Sequence, residues 1–320
     1  MSSKLHDPYF QWLDYKALGL LDSQVEPVRT EVLPTREFRR RFADTSTPCI
    51  ITGATKDWPA FSKWSFDYFK TNFGATPIPI CYNDGKPQMS TVNEYIDKLL
   101  TYDPRCGKRI GHAKNVLMPR YIEQILADLR FPRYHFTDRL THRGLWFAFD
   151  CGTSNVHADF GHNMNVQVVG RKHFRLSGPT TIEPRFFHTR NYRTNYTFLD
   201  YDEPAPAANG NPAMPKMKAE YNFILEQGEI LFVPYGWWHK VTSIGPSISA
   251  THFWLTPAMA LTAIAFMAGM GDIPRKLLMR QIGPNGAPPP RFYREPRPST
   301  EKSGDAPTGE SVDRLRKETC

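Results

Sequence analysis

The sequence predicts a mainly β fold with α flanks: a double-stranded β-helix, or jelly roll, with helical additions before and after it. Between about residues 145 and 255, short runs of β-branched and aromatic residues alternate with Gly and Pro, as in antiparallel sheets that close into a barrel. Helix-capping signals precede this region, and an apolar helical run follows it. Strands grouped together between helices indicate a sheet core with helices packed around it.

Length and composition indicate one globular domain with additions. The chain has 320 residues, of which 40% are hydrophobic and 13% aromatic, enough to bury a large core. We divide it into an N-terminal segment (1–24), a main domain (25–256), a helical segment (257–283) and a tail (284–320). The tail is rich in Pro and charged residues, so we expect it to be disordered.

Composition also narrows the cellular setting and the partners. Five cysteines without paired spacing argue against a disulfide framework or a zinc knuckle. The first residues are polar, and no apolar run reaches the roughly 20 residues needed to cross a bilayer. We therefore expect a cytoplasmic or nuclear protein that does not insert into membranes. The net charge of +8 favours anionic partners, but no basic stripe interleaved with aromatics accompanies it, so nucleic acid is the less favoured partner.

The region before the barrel is predicted to alternate between short strands and capped helices. The capping signals are Ser or Thr residues placed just before apolar periodic runs. In chain order we predict an edge strand at 26–33, a helix capped by Thr35 and reaching Phe42, a buried strand at 48–53, a helix capped by Ser65 and ended by Gly74, a helix at 92–101 with a capping box of Thr91 and Glu94, and a helix at 121–129.

Six strands are predicted in the barrel besides the short strand that carries His157 and Asp159. They cover residues 145–149, 164–169, 173–176, 221–225, 229–233 and 247–254. Gly170 and Arg171 are predicted to form a hairpin turn between the second and third of these strands. The polar, Pro-interrupted connection at 185–210 either borders a substrate groove or is a simple insertion.

The residues with the clearest chemistry are His157 and Asp159, two apart in a predicted strand. Residues i and i+2 of a strand point to the same face, so both side chains can enter one cavity. His239, which follows a predicted strand and two tryptophans, is the candidate third ligand. Two His and one carboxylate with open positions are typical of non-haem Fe(II) oxygenases. The alternative is a His beside a turn Asp, with His239 as a core His among aromatics.

At these residues the chain resembles the JmjC and cupin-like group of Fe(II)- and 2-oxoglutarate-dependent oxygenases. Within that group it is similar to the small JmjC-only hydroxylases, which include the asparaginyl hydroxylase of hypoxia-inducible factor. The motif H-A-D at 157–159, Asn163 six residues after the first His, Lys172 fifteen after it, and G-E-I-L-F-V-P-Y-G-W-W-H closing on His239 carry the resemblance. It extends over roughly residues 25–260.

The resemblance implies a cofactor, co-substrates and a set of binding residues. His157, Asp159 and His239 would hold Fe(II), with 2-oxoglutarate and O2 as co-substrates. Lys172 would bind the distal carboxylate of 2-oxoglutarate through a charge-assisted contact. Ser154 and Asn163 stand where the family places co-substrate or substrate contacts, and the alternative for each is a turn residue bonding its own backbone. His252 departs from the family, since the asparaginyl hydroxylase has an Asn at this position. It either touches the carboxylate end of 2-oxoglutarate or is a buried His bonded to backbone. His162 and His173 are offset from the ligand face, and we treat them as non-ligands.

The function implied is hydroxylation of a C–H bond on a protein or peptide side chain, with conversion of 2-oxoglutarate to succinate and CO2. Three alternatives stay open: the same chemistry on RNA or a small metabolite, removal of methyl groups from N-methyl-lysine, and a non-catalytic metal-binding cupin module. Related hydroxylases dimerise through C-terminal helices, and residues 258–270 are apolar almost all round. We therefore expect a homodimer formed through 257–283.

Overall fold

The computed structural model describes residues 25–81, 88–101, 112–116, 123–148, 154–159, 161–182, 197, 199–207, 213–257 and 259–260. Eleven strands in these ranges form one hydrogen-bonded sheet. They are β1 (Val28–Thr30), β2 (Cys49–Ile51), β3 (Pro77–Cys81), β4 (Gln88–Thr91), β5 (His112–Val116), β6 (Thr141–Ala148), β7 (His157–Ala158), β8 (His162–Ser177), β9 (Tyr221–Leu225), β10 (Ile230–Val233) and β11 (Trp238–Trp254).

The described helices are short and lie mostly before the barrel. They are α1 (Thr35–Phe38), α2 (Ala60–Lys63), α3 (Phe66–Phe73), α4 (Val92–Leu100) and α5 (Glu123–Ala127), with a π-helical turn at Arg39–Ala43 and a 3₁₀ turn at Asp138–Leu140. The strand order is β1-β2-β10-β8-β11-β6-β5-β3-β4, with β7 added beside β11 and β9 beside β8.

The long strands β8 and β11 form the centre of the fold. They pair antiparallel over almost their whole length, but each half of either strand has a different second partner. The first half of β8 pairs with β10 and the second half with β9, while β11 pairs with β7 at its start and with β6 at its end. The sheet therefore turns back on itself into two facing halves. The predicted mainly β jelly roll with helical flanks is confirmed.

The predicted hairpin turn at Gly170 and Arg171 is wrong, because β8 continues through both residues. Gly170 has a φ of 74°, and the pairing register between β8 and β11 shifts at this point, between Ile244 and Ile248. A Cβ on Gly170 would lie 2.4 Å from the carbonyl oxygen of Pro246. The glycine thus permits a bend and a close backbone approach inside one strand, a use of glycine that resembles a turn signal in the sequence.

The helical flank follows the predicted capping with one exception. Ser65 Oγ accepts a hydrogen bond from the Tyr68 N–H at 3.0 Å, and Thr91 forms a full capping box with Glu94. Thr35, however, lies inside α1, and its hydroxyl donates to the Arg133 carbonyl instead of capping the helix. The first barrel strand, β6, begins at Thr141 rather than Leu145, and α5 ends at Ala127, two residues before the predicted end of the helix at 129.

The two faces of β8 differ in polarity and so define the inside of the barrel. Met164, Val166 and Val168 pack into the large core beneath the N-terminal helices, together with Phe38, Tyr95 and Phe147. The alternate residues face the other way. These residues include Asn163 and Asn165, whose pairing partners on β10 are Val233 and Leu231. Both β10 residues belong to a second cluster with Phe174, Leu176 and Phe223. This second face is enclosed between the two halves of the sheet, and it is the barrel interior.

Little of the C-terminal additions falls within the described residues. Thr256 Oγ1 accepts from the Met259 N–H at 3.2 Å, so a helix does begin at Pro257 as predicted. Most of the segment 257–283 and the whole tail lie outside the described residues, and the homodimer stays a prediction. In the described part of the chain, no helix combines the length and apolar character that a membrane crossing requires.

Candidate metal centre

The predicted metal ligands come together on two neighbouring strands. His157 lies on β7, and Asp159 follows that strand directly. His239 lies near the start of β11 and is the direct cross-strand partner of His157. Because residues opposite each other in an antiparallel pair share a face, the two imidazole rings lie side by side, with centroids 4.3 Å apart.

One ligand atom from each of the three residues lies within 4.8 Å of the others. His239 Nε2 is 3.7 Å from Asp159 Oδ2. Metal bonds to such nitrogen and oxygen atoms are about 2.0–2.2 Å long, so two of them span up to about 4.4 Å. A single ion can therefore reach all three residues after a small contraction of the cluster.

Backbone carbonyls hold both imidazoles in the tautomer that a metal requires. His157 Nδ1 lies 2.8 Å from the Asn155 carbonyl oxygen, and His239 Nδ1 lies 2.9 Å from that of Trp237. A carbonyl only accepts hydrogen bonds, so each Nδ1 carries the proton and each Nε2 keeps its lone pair for the cluster. Fixing the ring by its other nitrogen is how proteins usually orient histidine ligands.

Asp159 is largely buried, with its side chain 16% exposed. Burial raises the pKa of its carboxyl group above the usual value, although the neighbouring His239 and a hydrogen bond from Asn163 act in the opposite direction. The Asn163 Nδ2 group donates to Asp159 Oδ2 at 3.0 Å. A cation between the carboxylate and the two imidazoles would relieve the cost of burying this charge. Two imidazoles and one carboxylate on one open face fit Fe(II).

Lys172 lies on β8, and its buried ammonium group donates to Ser249 Oγ on the neighbouring strand β11. The residue is 4% exposed, and burial lowers the pKa of the Lys172 ammonium to about 7. Among the described residues, no carboxylate lies within ion-pair distance of it. Burial of such a charge is costly, and an anion beside it would reduce that cost.

Ser154 and Asn163 both lie close to the candidate metal ligands, and each already makes hydrogen bonds to other residues. Ser154 is joined to Val241 on β11 by backbone and side chain: its N–H donates to the Val241 carbonyl, and its Oγ accepts from the Val241 N–H. In both contacts the hydroxyl hydrogen of Ser154 is not used. The Asn163 amide supports Asp159, while its Oδ1 is buried without a partner among the described residues.

The structure does not bring His252 to this cluster. Side chains of β11 alternate, and His252 lies on the face opposite Ser249, which contacts Lys172. Its Nδ1 accepts from the Arg143 Nε–H at 3.2 Å, and its Nε2 lies 3.2 Å from His135 Nδ1. Its ring also stacks on Phe131. These contacts give His252 a place in the packing outside the barrel interior.

His162 and His173 also lie away from the three ligands. The His162 ring contacts Phe232 and Trp254 on the outer face, and its Nδ1 accepts from the Tyr235 N–H. His173 Nε2 lies 2.5 Å from Asn222 Oδ1. Burial lowers the pKa of each imidazole to about 4, so both side chains are neutral at physiological pH.

Sequence reasoning missed most of the polar lining of the barrel interior. Asn163, Asn165 and Gln167 form a stripe on the inner face of β8, each with a buried side-chain oxygen that lacks a partner among the described residues. Trp146 Nε1 donates to Thr251 Oγ1 on the same side of the barrel. The sequence did contain a sign of this lining, because amide side chains at positions i, i+2 and i+4 of a strand share one face. These side-chain oxygens accept hydrogen bonds and therefore need donors. An ionised dicarboxylate such as 2-oxoglutarate has no donor to offer, whereas an ordered water molecule has two.

A jelly roll that carries a cluster of two His and one carboxylate defines a class of metal-binding barrel proteins. The chain belongs to the cupin-like domain family, which it matches over residues 34–259. This membership confirms the resemblance to JmjC and cupin-like proteins that the motifs indicated.

Several curated relatives carry enzyme names. "Lysine-specific demethylase 8" of Danio rerio is 29% identical over 75% of this chain and 61% of its own length. "Lysine-specific demethylase JMJ30" of Arabidopsis thaliana is 28% identical over 69% of this chain and 53% of its own. The "Bifunctional arginine demethylase and lysyl-hydroxylase psr-1" of Caenorhabditis briggsae is 24% identical over 77% of this chain and 67% of its own. The chain thus spans between half and two thirds of the first two relatives.

Proposed function

We propose that the protein is an Fe(II)- and 2-oxoglutarate-dependent oxygenase that hydroxylates a C–H bond on a protein or peptide side chain. The observation that carries this proposal is the pairing of two features on the barrel interior. One is the His157, Asp159 and His239 cluster, and the other is the buried ammonium of Lys172 without a carboxylate partner among the described residues. A metal site alone fits many cupins, whereas a metal site together with an anion site fits a chelating dicarboxylate.

Three side chains would hold the metal, and they leave room for both co-substrates. The two imidazoles and the Asp159 carboxylate would supply three ligands to the ion. A set of two His and one carboxylate is typical of Fe(II) sites that keep positions for co-substrates. Bound Fe(II) supplies the chemistry in which O2 and 2-oxoglutarate yield succinate, CO2 and a substrate C–OH in place of C–H. The protein contributes fixed imidazole tautomers and a carboxylate held by Asn163.

Lys172 would select the dicarboxylate. Its ammonium lies inside the barrel on the strand that follows Asp159, where it can meet the far carboxylate of a molecule chelated at the metal. Ser154, next to the same strands, has a hydroxyl hydrogen to donate to that carboxylate. An ammonium that is costly to bury alone becomes favourable once a carboxylate sits beside it.

The substrate class is proposed from the relatives. Their names describe demethylation of lysine and arginine and hydroxylation of lysine, all of them reactions on protein side chains. Demethylation is the second candidate, favoured by the larger number of demethylase names. Both outcomes follow from hydroxylation of a C–H bond, because an N-hydroxymethyl group breaks down to the free amine and formaldehyde.

Binding and turnover test the proposal in sequence. Under anaerobic conditions, Fe(II) followed by 2-oxoglutarate should produce a visible charge-transfer absorption, and air should then release succinate. Asp159→Ala should abolish both signals, whereas Asp57→Ala, at an exposed carboxylate, should leave both intact. Wild-type protein that shows neither the absorption band nor succinate would leave a non-catalytic binding module as the better description.

Product analysis separates the two candidate reactions. Peptides carrying unmodified and N-methylated Lys and Arg are incubated with the enzyme and analysed by mass spectrometry. A gain of one oxygen atom on an unmodified side chain supports hydroxylation. Loss of a methyl group together with formaldehyde supports demethylation instead.

A further inference from the structure

We propose that Asp200 and Asp202 are positioning residues for the metal centre, and that they hold a brace against the outer side of the two ligand strands. The brace is the segment 199–205, together with Thr197. This inference rests on the proposed function, since its effect is exerted on the His157 and His239 ligands.

The strand that carries His157 is too short to hold itself in place. β7 has two residues, and on one side it pairs with Trp238 and His239 of β11. On its other side the Thr197 N–H donates to the Val156 carbonyl at 3.2 Å. An isolated two-residue pairing is marginal, so the position of His157 depends on what packs around it.

The brace packs directly behind both histidines. Val156 and Ala158, which flank His157, point outward, as does Trp238, which precedes His239. These side chains form an apolar cluster with four residues from beyond β7 and β8: Ile182, Leu199, Tyr201 and Ala205. The Tyr201 hydroxyl lies 2.9 Å from Ser177 Oγ and 3.4 Å from the Trp238 carbonyl, next to the His239 backbone. The brace therefore touches the residues on either side of each ligand.

Two cations on the barrel wall anchor this segment. Lys240, which follows His239, and Arg175 are direct cross-strand partners on the outer face, and their side chains are 8% and 11% exposed. Two nearly buried like charges on adjacent strands repel each other unless carboxylates lie between them.

Asp200 and Asp202 supply those carboxylates. Lys240 Nζ donates to Asp200 at 2.6 and 2.8 Å and to Asp202 at 2.6 Å. Arg175 forms a two-pronged contact with Asp202, the second prong at 2.9 Å. Tyr201 lies between the two aspartates and is carried into the apolar cluster by them. The four charges therefore join the brace to the wall one residue away from His239.

This arrangement links the ion pairs to the ligands more closely than to the main core. The large core under the N-terminal helices contains none of the brace residues, and the brace cluster contains the outward neighbours of both histidines. Loss of the carboxylates should therefore loosen the ligand strands before it unfolds the barrel. Groups that orient metal ligands typically affect metal affinity by about 10- to 100-fold.

The test measures metal binding by the folded apo-protein, with Co(II) as a spectroscopic probe. The full chain is compared with the double variant Asp200→Asn, Asp202→Asn, with the single variant Asp200→Asn, and with Glu226→Gln. Glu226→Gln is the matched control, because it also removes a carboxylate that pairs with an arginine of β8. The Glu226 carboxylate is half exposed and lies 3.8 Å from Arg171, outside the brace. Circular dichroism first identifies a temperature at which each variant is folded.

We expect the double variant to bind Co(II) at least about tenfold more weakly and to show altered visible Co(II) bands, while Glu226→Gln binds like the wild type. If the double variant does not fold, the single variant Asp200→Asn is measured instead, and we expect it to lose less Co(II) affinity. Unchanged Co(II) affinity and bands in a folded variant would overturn the inference, even if its melting temperature had fallen. Wild-type protein that binds no Co(II) would instead contradict the proposed metal site.

Discussion

Replacement of Lys172 by Met should make the protein without co-substrate more stable and should abolish 2-oxoglutarate binding. Met has nearly the shape of Lys without the charge, so the substitution removes the buried ammonium and leaves the packing largely intact. The ammonium has the Ser249 hydroxyl as a partner and no carboxylate among the described residues. Its charge is therefore a cost to the free protein and becomes useful only when an anion is bound.

The size of the effect follows from the pKa of Lys172, which burial lowers from 10.5 to about 7. Each pH unit between these values corresponds to about 1.4 kcal/mol, so the buried charge costs about 5 kcal/mol below pH 7. Between pH 7 and 10.5 the unfolded chain binds more protons at this residue than the folded chain does. Stability therefore rises with pH over this window in the wild type, and the advantage of Lys172→Met shrinks over the same window.

Urea unfolding of both proteins at pH 6.5 and pH 9 measures this difference. We expect Lys172→Met to be more stable by about 2–4 kcal/mol at the lower pH, after about 1 kcal/mol is lost with the Ser249 hydrogen bond, and by clearly less at the higher pH. Lys240→Met is the matched control. Its ammonium contacts two carboxylates, so the same substitution should destabilise the protein.

Two results would refute this reasoning. The first is a Lys172→Met protein that is less stable than the wild type at pH 6.5, which would mean that the ammonium has a counter-charge in the free protein. The second is unimpaired 2-oxoglutarate binding by the variant in the anaerobic Fe(II) absorption assay. That result would remove the anion site on which the choice of co-substrate depends.

Two further substitutions test the placement of other residues. His252→Asn should lower the free energy of unfolding by about 1–2 kcal/mol, because Arg143 loses its acceptor, and should leave 2-oxoglutarate affinity within about twofold. A large loss of that affinity would put His252 back in the co-substrate site. Gly170→Ala should cost at least about 1 kcal/mol in urea unfolding, because the residue has a φ of 74° and lies against Pro246. A neutral effect would argue for a relaxed turn at this position, as the sequence alone had suggested.

The strand and helix types were largely readable from local pattern, and the failures have specific physical causes. The Thr91 and Glu94 spacing predicted a capping box because both hydrogen bonds are made within one turn of chain. Thr35 looked equally suitable, but its hydroxyl has a competing partner in the Arg133 carbonyl, far away in sequence. Gly170 was read as a turn because a glycine with positive φ serves turns and strand bends alike.

The candidate metal ligands could be picked out because a strand's two-residue period already places His157 and Asp159 on one face. His239 was identified from its sequence surroundings, and the cross-strand register confirms that it faces them. The resemblance to a known family added Lys172. The sequence by itself thus determined the chemical types at the site, because side-chain direction along a single strand is a local property.

Only the tertiary structure decided the rest. It placed His252 on the outer face, lined the interior with the amides of β8, and set Asp200 and Asp202 against Lys240 and Arg175. Each of these outcomes depends on which distant strand or segment lies alongside, a choice made by burial over the whole chain. The residues that carry the proposed chemistry were therefore visible in the sequence, whereas the contacts that hold them in position were not.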